Sequence, residues 1–211
     1  LAAVIYYFKK EIQGLLQAWN PWSKTRNTEN FSLGLNLIVA TLPIVLVGLL
    51  ASDLAESRSA NIDSIAWANL VFAGLLYAAF KSSSQSKSLT ELTLFAALII
   101  GCFQALAVFP GASRSGMAIT GALIIGLNIK DTSRFAFLLS IPTIMGALIL
   151  MIAKGAYSIA LSDMLIMLTG FIASAFIAFF TIKGFLRFVE KIGMTPFVFY
   201  RVALGVVLLI L

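Results

Sequence analysis

The chain has 211 residues, 60% of them hydrophobic and 11% charged, with a net charge of +6, one cysteine and no histidine. A mean hydropathy of +0.99 without any long polar stretch describes a single-domain integral membrane protein. The missing histidine removes Ser-His and Cys-His nucleophile pairs and His-ligated metals. The lone Cys102, which reads as a small buried residue, removes disulfides.

The chain opens on an apolar run, residues 1–8, too short to cross a bilayer or to act as a signal segment. It reads as the end of a helix continued upstream, so a longer chain is expected. Full spans are predicted at 31–51, 65–80, 135–153, 164–182 and 195–211, with a longer apolar stretch at 92–128. Pro43 and Pro142 fall inside spans, where bundled membrane helices tolerate them. Thr195-Pro196 supplies an N-cap and a first-turn proline for the last span.

Charge sets the orientation. Loops 9–30, 81–91, 129–134 and 183–194 carry Lys9, Lys10, Lys24, Arg26, Lys81, Lys87, Lys130, Arg134, Lys183, Arg187 and Lys191. These are eleven of the fifteen basic residues, which places the four loops in the cytoplasm. Loops 52–63 and 154–163 hold only Arg58 and Lys154, beside Asp53, Glu56, Asp63 and Asp163. Scattered in this way, the positive charge follows a positive-inside bias rather than a nucleic-acid surface. The segment 185–191 reads as an amphipathic, interfacial helix end.

Loops 81–91 and 129–134 fall on one side, so the stretch between them must enter the membrane and return. Two crossings of roughly 18 residues each would satisfy that count. The Pro110-Gly111 break at its middle favours a re-entrant helical hairpin over 92–128. Three spans, the first of them truncated to residues 1–8, precede the hairpin and three follow it in the opposite sense, the pattern of an inverted-topology repeat with its site at the midplane. The expected fold is therefore all-α: a polytopic membrane protein, one domain over 1–211, with re-entrant hairpins. The partner hairpin is expected upstream of Leu1.

The remaining basic residues, Arg114 and Arg201, lie inside apolar sequence. A guanidinium near the bilayer centre costs at least ~2.5–3.5 kcal/mol, so it needs an anion or a wet cavity. Arg114 sits in Pro110-Gly-Ala-Ser-Arg-Ser-Gly-Met-Ala-Ile-Thr120. Gly111 and Gly116 allow close backbone approach, and the residues after the break start a half-helix whose N–H groups favour an anion. Ser113, Ser115 and Thr120 add hydroxyls, and Arg114 a fork suited to two phosphate oxygens. A tight Ser/Gly turn with Arg114 snorkelling to a headgroup is the plainer alternative; the cluster's mid-segment position weighs against it. Thr120 either bonds the anion or braces the turn. Arg201 either reaches the site or snorkels, and Ser140, before Pro142, bonds freed backbone or substrate.

The run FPGASRSGMAIT resembles the PGxSRS signature of the undecaprenyl-diphosphatase (bacitracin-resistance) family, and GCFQALAVFPG, FAFLLSIPTIMGA (135–147) and PFVFYR (196–201) extend the likeness. The resemblance implies a multi-pass enzyme of the bacterial inner membrane that removes the terminal phosphate of a polyprenyl diphosphate, the lipid carrier of cell-wall synthesis. It implies Arg114, Ser113, Ser115 and Thr120 as catalytic residues. Gly111, Gly116, Gln104, Ser140 and Arg201 are then expected to bind substrate. It also implies a divalent cation, Mg²⁺ or Ca²⁺, held by glutamates of a first motif that nothing here matches. No metal ligand is therefore expected in this chain, and the 211-residue piece alone is expected to be inactive. Membrane lipids are expected partners, a homodimer is left open, and nucleic acid is not expected. A membrane anion transporter or lipid-phosphate flippase is the competing reading, since midplane half-helices also mark transporters.

Overall fold

The computed structural model describes residues 1–20, 27–50, 61–153 and 164–210. Among these, nine helices follow one another: α1 (Ala2–Tyr7), α2 (Lys9–Trp19), α3 (Thr28–Leu50), α4 (Ile62–Ser82), α5 (Leu94–Ala105), α6 (Arg114–Ile125), α7 (Ile129–Ala153), α8 (Met164–Ile192) and α9 (Thr195–Ile210). Short 3₁₀ turns cover Leu89–Glu91 and Leu106–Val108. A chain this apolar is helical because a segment in hydrocarbon must satisfy its own backbone. Caps start the helices where the sequence offers them. Asn27 accepts from the Glu29 N–H at 2.9 Å, Thr93 from Ala96 at 3.2 Å, and Ser113 from Gly116 at 3.2 Å.

Helices α3, α4, α7 and α8, of 23, 21, 25 and 29 residues, are long and apolar enough to cross a membrane. At 1.5 Å per residue they measure about 32–44 Å against a hydrocarbon core of ~30 Å. Their outer faces agree with that medium: Ile166, Phe171, Phe176 and Ile177 of α8 are each at least 59% exposed, a surface water would not tolerate. Inside, alanines set the helix spacing. Ala40, Ala66, Ala73, Ala97 and Ala122 are all fully buried, the small-residue packing that lets membrane helices approach closely.

Helices α5 and α6 have 12 residues each, about 18 Å, too short to cross. They pack on each other, and the chain that leaves at Lys87 returns at Gly126. Lys87 N–H donates to the Gly126 carbonyl at 3.0 Å, and Asn128 N–H donates back to the Lys87 carbonyl at 2.8 Å. Asp131 tightens this closure by accepting from Leu89 N–H at 3.1 Å, Asn128 Nδ2 at 3.0 Å and Arg134 Nη1 at 3.2 Å. Beside it, Ser88 donates from its N–H and hydroxyl to Glu91, at 2.7 and 2.9 Å. Those bonds hold the Glu91 carboxyl below the usual carboxylate range, the backbone bond contributing most.

The same end of the bundle collects all four basic segments. Arg134 Nη2 donates to Glu11 Oε1 at 2.9 Å, joining α7 to α2. Lys130 Nζ lies 4.0 Å from Glu190 of α8, and the Lys87 backbone is bonded to Asn128 at the start of α7. Segments 81–91 and 129–134 on one face are what a folded-back 92–128 requires.

Several expectations change. Residues 9–19, 129–134 and 183–192, read as loops, are helical. In α8 the buried Ile182, Leu186 and Val189 recur at helical spacing, so charge on the opposite face ends the hydropathy signal but not the helix. Cys102, read as buried, is exposed on the outside of α5. Loop 154–163 and residues 52–60 lie outside the described residues, as do Lys24, Arg26, Arg58, Lys154, Asp53, Glu56 and Asp163.

Candidate active site

The tip of the α5–α6 hairpin is built by a turn the sequence prescribes. Ala112 N–H donates to the Phe109 carbonyl at 3.1 Å, closing a four-residue turn with Pro110 second and Gly111 third. Gly111 has φ +90°, so this is a type II turn, which asks for proline and glycine in those places. A side chain at Gly111 would run into the Ile65 carbonyl oxygen of α4. The chain then caps α6 with Ser113 and begins the helix at Arg114. Ser113 takes up the Gly116 N–H, leaving those of Arg114 and Ser115 free of intrahelical acceptors. Ser115 Oγ lies 3.3 Å from Ser113 Oγ.

Arg201 reaches this tip from α9. Its Nη2 donates to the Gly111 carbonyl at 2.9 Å and its Nε to Asn69 Oδ1 at 2.8 Å. Asn69 Nδ2 in turn donates to the Arg201 carbonyl at 2.7 Å. Arg201 is 9% exposed, and its Nη1 is buried without a partner. No carboxylate among the described residues pairs with it. An unpaired buried donor of a charged group costs about 1–3 kcal/mol or more unless an anion takes it up. Asn69, Gly111, Ser113, Ser115, Gly116 and Arg201 share a cavity of about 270 Å³ whose other walls include Leu76, Phe185, Phe197 and Leu204.

The expected cluster divides around α6. Arg114 does not line the cavity of Gly111, Gly116 and Arg201. It faces a cavity of about 540 Å³ with Gln104, Ser115 and Ser140, and another of about 400 Å³ between α3 and α7. Consecutive helical residues point about 100° apart, so Arg114 and its neighbours cannot all face one way. Ser115 belongs to both flanks: a cavity of about 170 Å³, lined by Ser115, Ile119, Phe137 and Phe185, lies between them. Arg114 has no ion pair among the described residues. Gln104 is 1% exposed with its Nε2 unpartnered.

Thr120 and Ser140 are engaged locally. Thr120 is fully buried and donates to the Gly116 carbonyl at 2.7 Å, which braces the first turns of α6. Ser140 donates to the Phe137 carbonyl at 2.6 Å while still lining the Gln104 cavity. Asn69 completes the Arg201 side and is absent from the residues expected on sequence grounds; an amide inside an apolar span is the signal that points to it.

A hard divalent cation asks for charged oxygen ligands. Among the described residues no three carboxylate or thiol groups stand together, and Glu11 and Asp131 spend their charge on Arg134. The tip offers guanidinium, hydroxyl and N–H donors. That set fits an anion and does not fit Mg²⁺ or Ca²⁺, so no step is routed through a metal.

Fold and tip together define a polytopic helical membrane protein with hydrogen-bond donors gathered at the turn of a folded-back hairpin. Residues 1–207 match the family described as bacitracin resistance protein BacA, and the chain belongs to that family. It is 42% identical over 207 residues to the undecaprenyl-diphosphatase of Saccharophagus degradans, covering 97% of this chain and 77% of that one. It is 42% identical over 218 residues to the undecaprenyl-diphosphatase of Teredinibacter turnerae, covering 100% and 80%. The undecaprenyl-diphosphatase of Alcanivorax borkumensis is 40% identical over 210 residues, covering 99% and 79%.

Proposed function

We propose that the protein is an undecaprenyl-diphosphate phosphatase of the bacterial inner membrane, acting on the terminal phosphate of the lipid at the α5–α6 tip. The observation that carries this reading is the orphaned guanidinium donor of Arg201 beside the serine-capped start of α6, an anion site among membrane helices. Family membership supplies the chemistry: a phosphoanhydride P–O bond breaks, water delivers the new oxygen, and orthophosphate and the lipid monophosphate separate.

Phosphoryl transfer needs positioning and charge stabilisation more than covalent assistance. The N–H groups at the start of α6 and the hydroxyls of Ser113 and Ser115 hold phosphate oxygens. Arg114 stabilises charge from the flank it shares with Gln104 and Ser115. Gly111 and Gly116 keep the backbone bare where the anion approaches, and Thr120 holds the turn. The apolar walls formed by Leu76, Phe185, Phe197 and Leu204 suit a prenyl chain. The test is orthophosphate release from undecaprenyl diphosphate by the purified full-length protein in detergent. Release abolished by Arg114→Ala supports the reading. Failure to release phosphate, with movement of phosphate or lipid phosphate across proteoliposomes, favours the transporter instead.

A further inference from the structure

Arg201 carries more hydrogen-bond capacity than its structural contacts use. Nε is taken by Asn69 and Nη2 by the Gly111 carbonyl, while Nη1 is buried and unpaired. That nitrogen lies 2.9 Å from where a Cβ on Gly116 would stand, and Ser113 Oγ lies 3.3 Å from the same point. Two donors on different helices therefore converge at the start of α6, over a residue that has no side chain to fill the space. The Asn69 amide fixes this geometry. Its oxygen faces the Nε donor and its nitrogen faces the Arg201 carbonyl, so a flipped amide would set donor against donor and acceptor against acceptor.

We propose that Arg201 binds a phosphate oxygen of the substrate through Nη1, completing the anion site from α9, and that Asn69 is the positioning residue that aims it. The proposal rests on the phosphatase reading of the tip for the identity of the ligand, and on the geometry alone for the site. Arg114 and Arg201 then address the anion from opposite flanks of α6, with Ser115 between them. Asn69 keeps the Arg201 charge available, because a neutral amide occupies Nε without neutralising the guanidinium. A carboxylate in its place would hold the same nitrogen and claim the charge.

The test compares Asn69→Asp, Asn69→Leu and Arg201→Lys with the parent in the full-length protein. The readouts are equilibrium binding of inorganic phosphate and pyrophosphate, KM and kcat for a prenyl diphosphate, and Tm. A charge-assisted hydrogen bond lost from a binding site weakens affinity on the order of ten- to a hundredfold. Asn69→Asp, which sets a carboxylate oxygen against the Arg201 carbonyl, is expected to lower Tm while remaining folded, to weaken phosphate and pyrophosphate binding by that order, and to raise KM by more than it lowers kcat. Arg201→Lys, which keeps a charge but loses the fixed fork, is expected to weaken binding similarly. Parental anion binding in a folded Asn69→Asp protein overturns the positioning role. Should Asn69→Asp fail to fold, parental anion binding in Arg201→Lys overturns the anion contact. Weakened anion binding by the variants of a parent protein that releases no phosphate would keep the Arg201 site and remove the phosphatase reading.

Discussion

Replacing Gly111 with alanine puts a methyl group against the Ile65 carbonyl oxygen of α4, with Ala68 Cβ 3.2 Å away on the same helix. Two costs add. Alanine at φ +90° pays about 1–2 kcal/mol for the left-handed backbone. Relieving the clash must move the tip or α4, and either movement lengthens the 2.9 Å bond from Arg201 Nη2 to the Gly111 carbonyl, worth about 1.5–3 kcal/mol as a charged hydrogen bond. The total is about 2.5–5 kcal/mol, or a fall in Tm of roughly 5–20 °C for a chain this size. A displacement near 1 Å at a site that works by positioning costs on the order of a hundredfold in kcat/KM. Thermal unfolding followed by intrinsic fluorescence in detergent, with orthophosphate release measured on the same preparation, reads both effects. A Gly111→Ala protein within 2 °C of the parent (about 1 kcal/mol or less) and within twofold in kcat/KM would show that the turn does not hold the tip in this way.

Three further outcomes are expected. Arg114→Lys should lose nearly as much phosphate release as Arg114→Ala, because lysine keeps the charge but not the planar fork; near-parental turnover in the lysine variant would remove the two-oxygen role. Asp131→Ala leaves Leu89 N–H, Asn128 and Arg134 without their shared acceptor and should lower stability by about 2–3 kcal/mol, read as a Tm shift; an unchanged Tm would mean the base of the hairpin is closed by the Lys87 backbone bonds alone. Cysteines at Ser86 and Ile192, in a Cys102→Ala background, should both be protected from an impermeant thiol reagent applied outside, and labelling of either would break the shared face of the four basic segments.

Much of this arrangement is readable in the residues. Twenty-odd apolar residues have few physical options, so α3 and α4 fall close to the expected spans, while α7 begins six residues before its expected span and α8 ends ten residues after its own. Pro110-Gly111 dictates its turn locally, and Ser113 caps the helix that starts beside it. The lysine and arginine distribution puts residues 81–91 and 129–134 on one side, and the backbone bonds of Lys87 with Gly126 and Asn128 join those segments directly. What sequence could not supply depends on direction and distance. Arg114 and Ser115 are neighbours in the chain, yet the helical rotation between them turns Arg114 towards Gln104, away from Gly111 and Arg201. Asn69 and Arg201 stand 132 positions apart, and nothing local in either span signals the other. Cys102 sits in a run apolar on every side, where periodicity is too weak to tell the lipid face from the interior.

The central claim is removal of the terminal phosphate at the α5–α6 tip. Its most direct test is hydrolysis of undecaprenyl diphosphate by the full-length protein in ¹⁸O-enriched water, with mass analysis of both products. Orthophosphate carrying one ¹⁸O atom beside unlabelled lipid monophosphate, with both lost in Arg114→Ala, is the predicted result. Label in the lipid monophosphate, or turnover that persists undiminished in Arg114→Ala, would contradict the account.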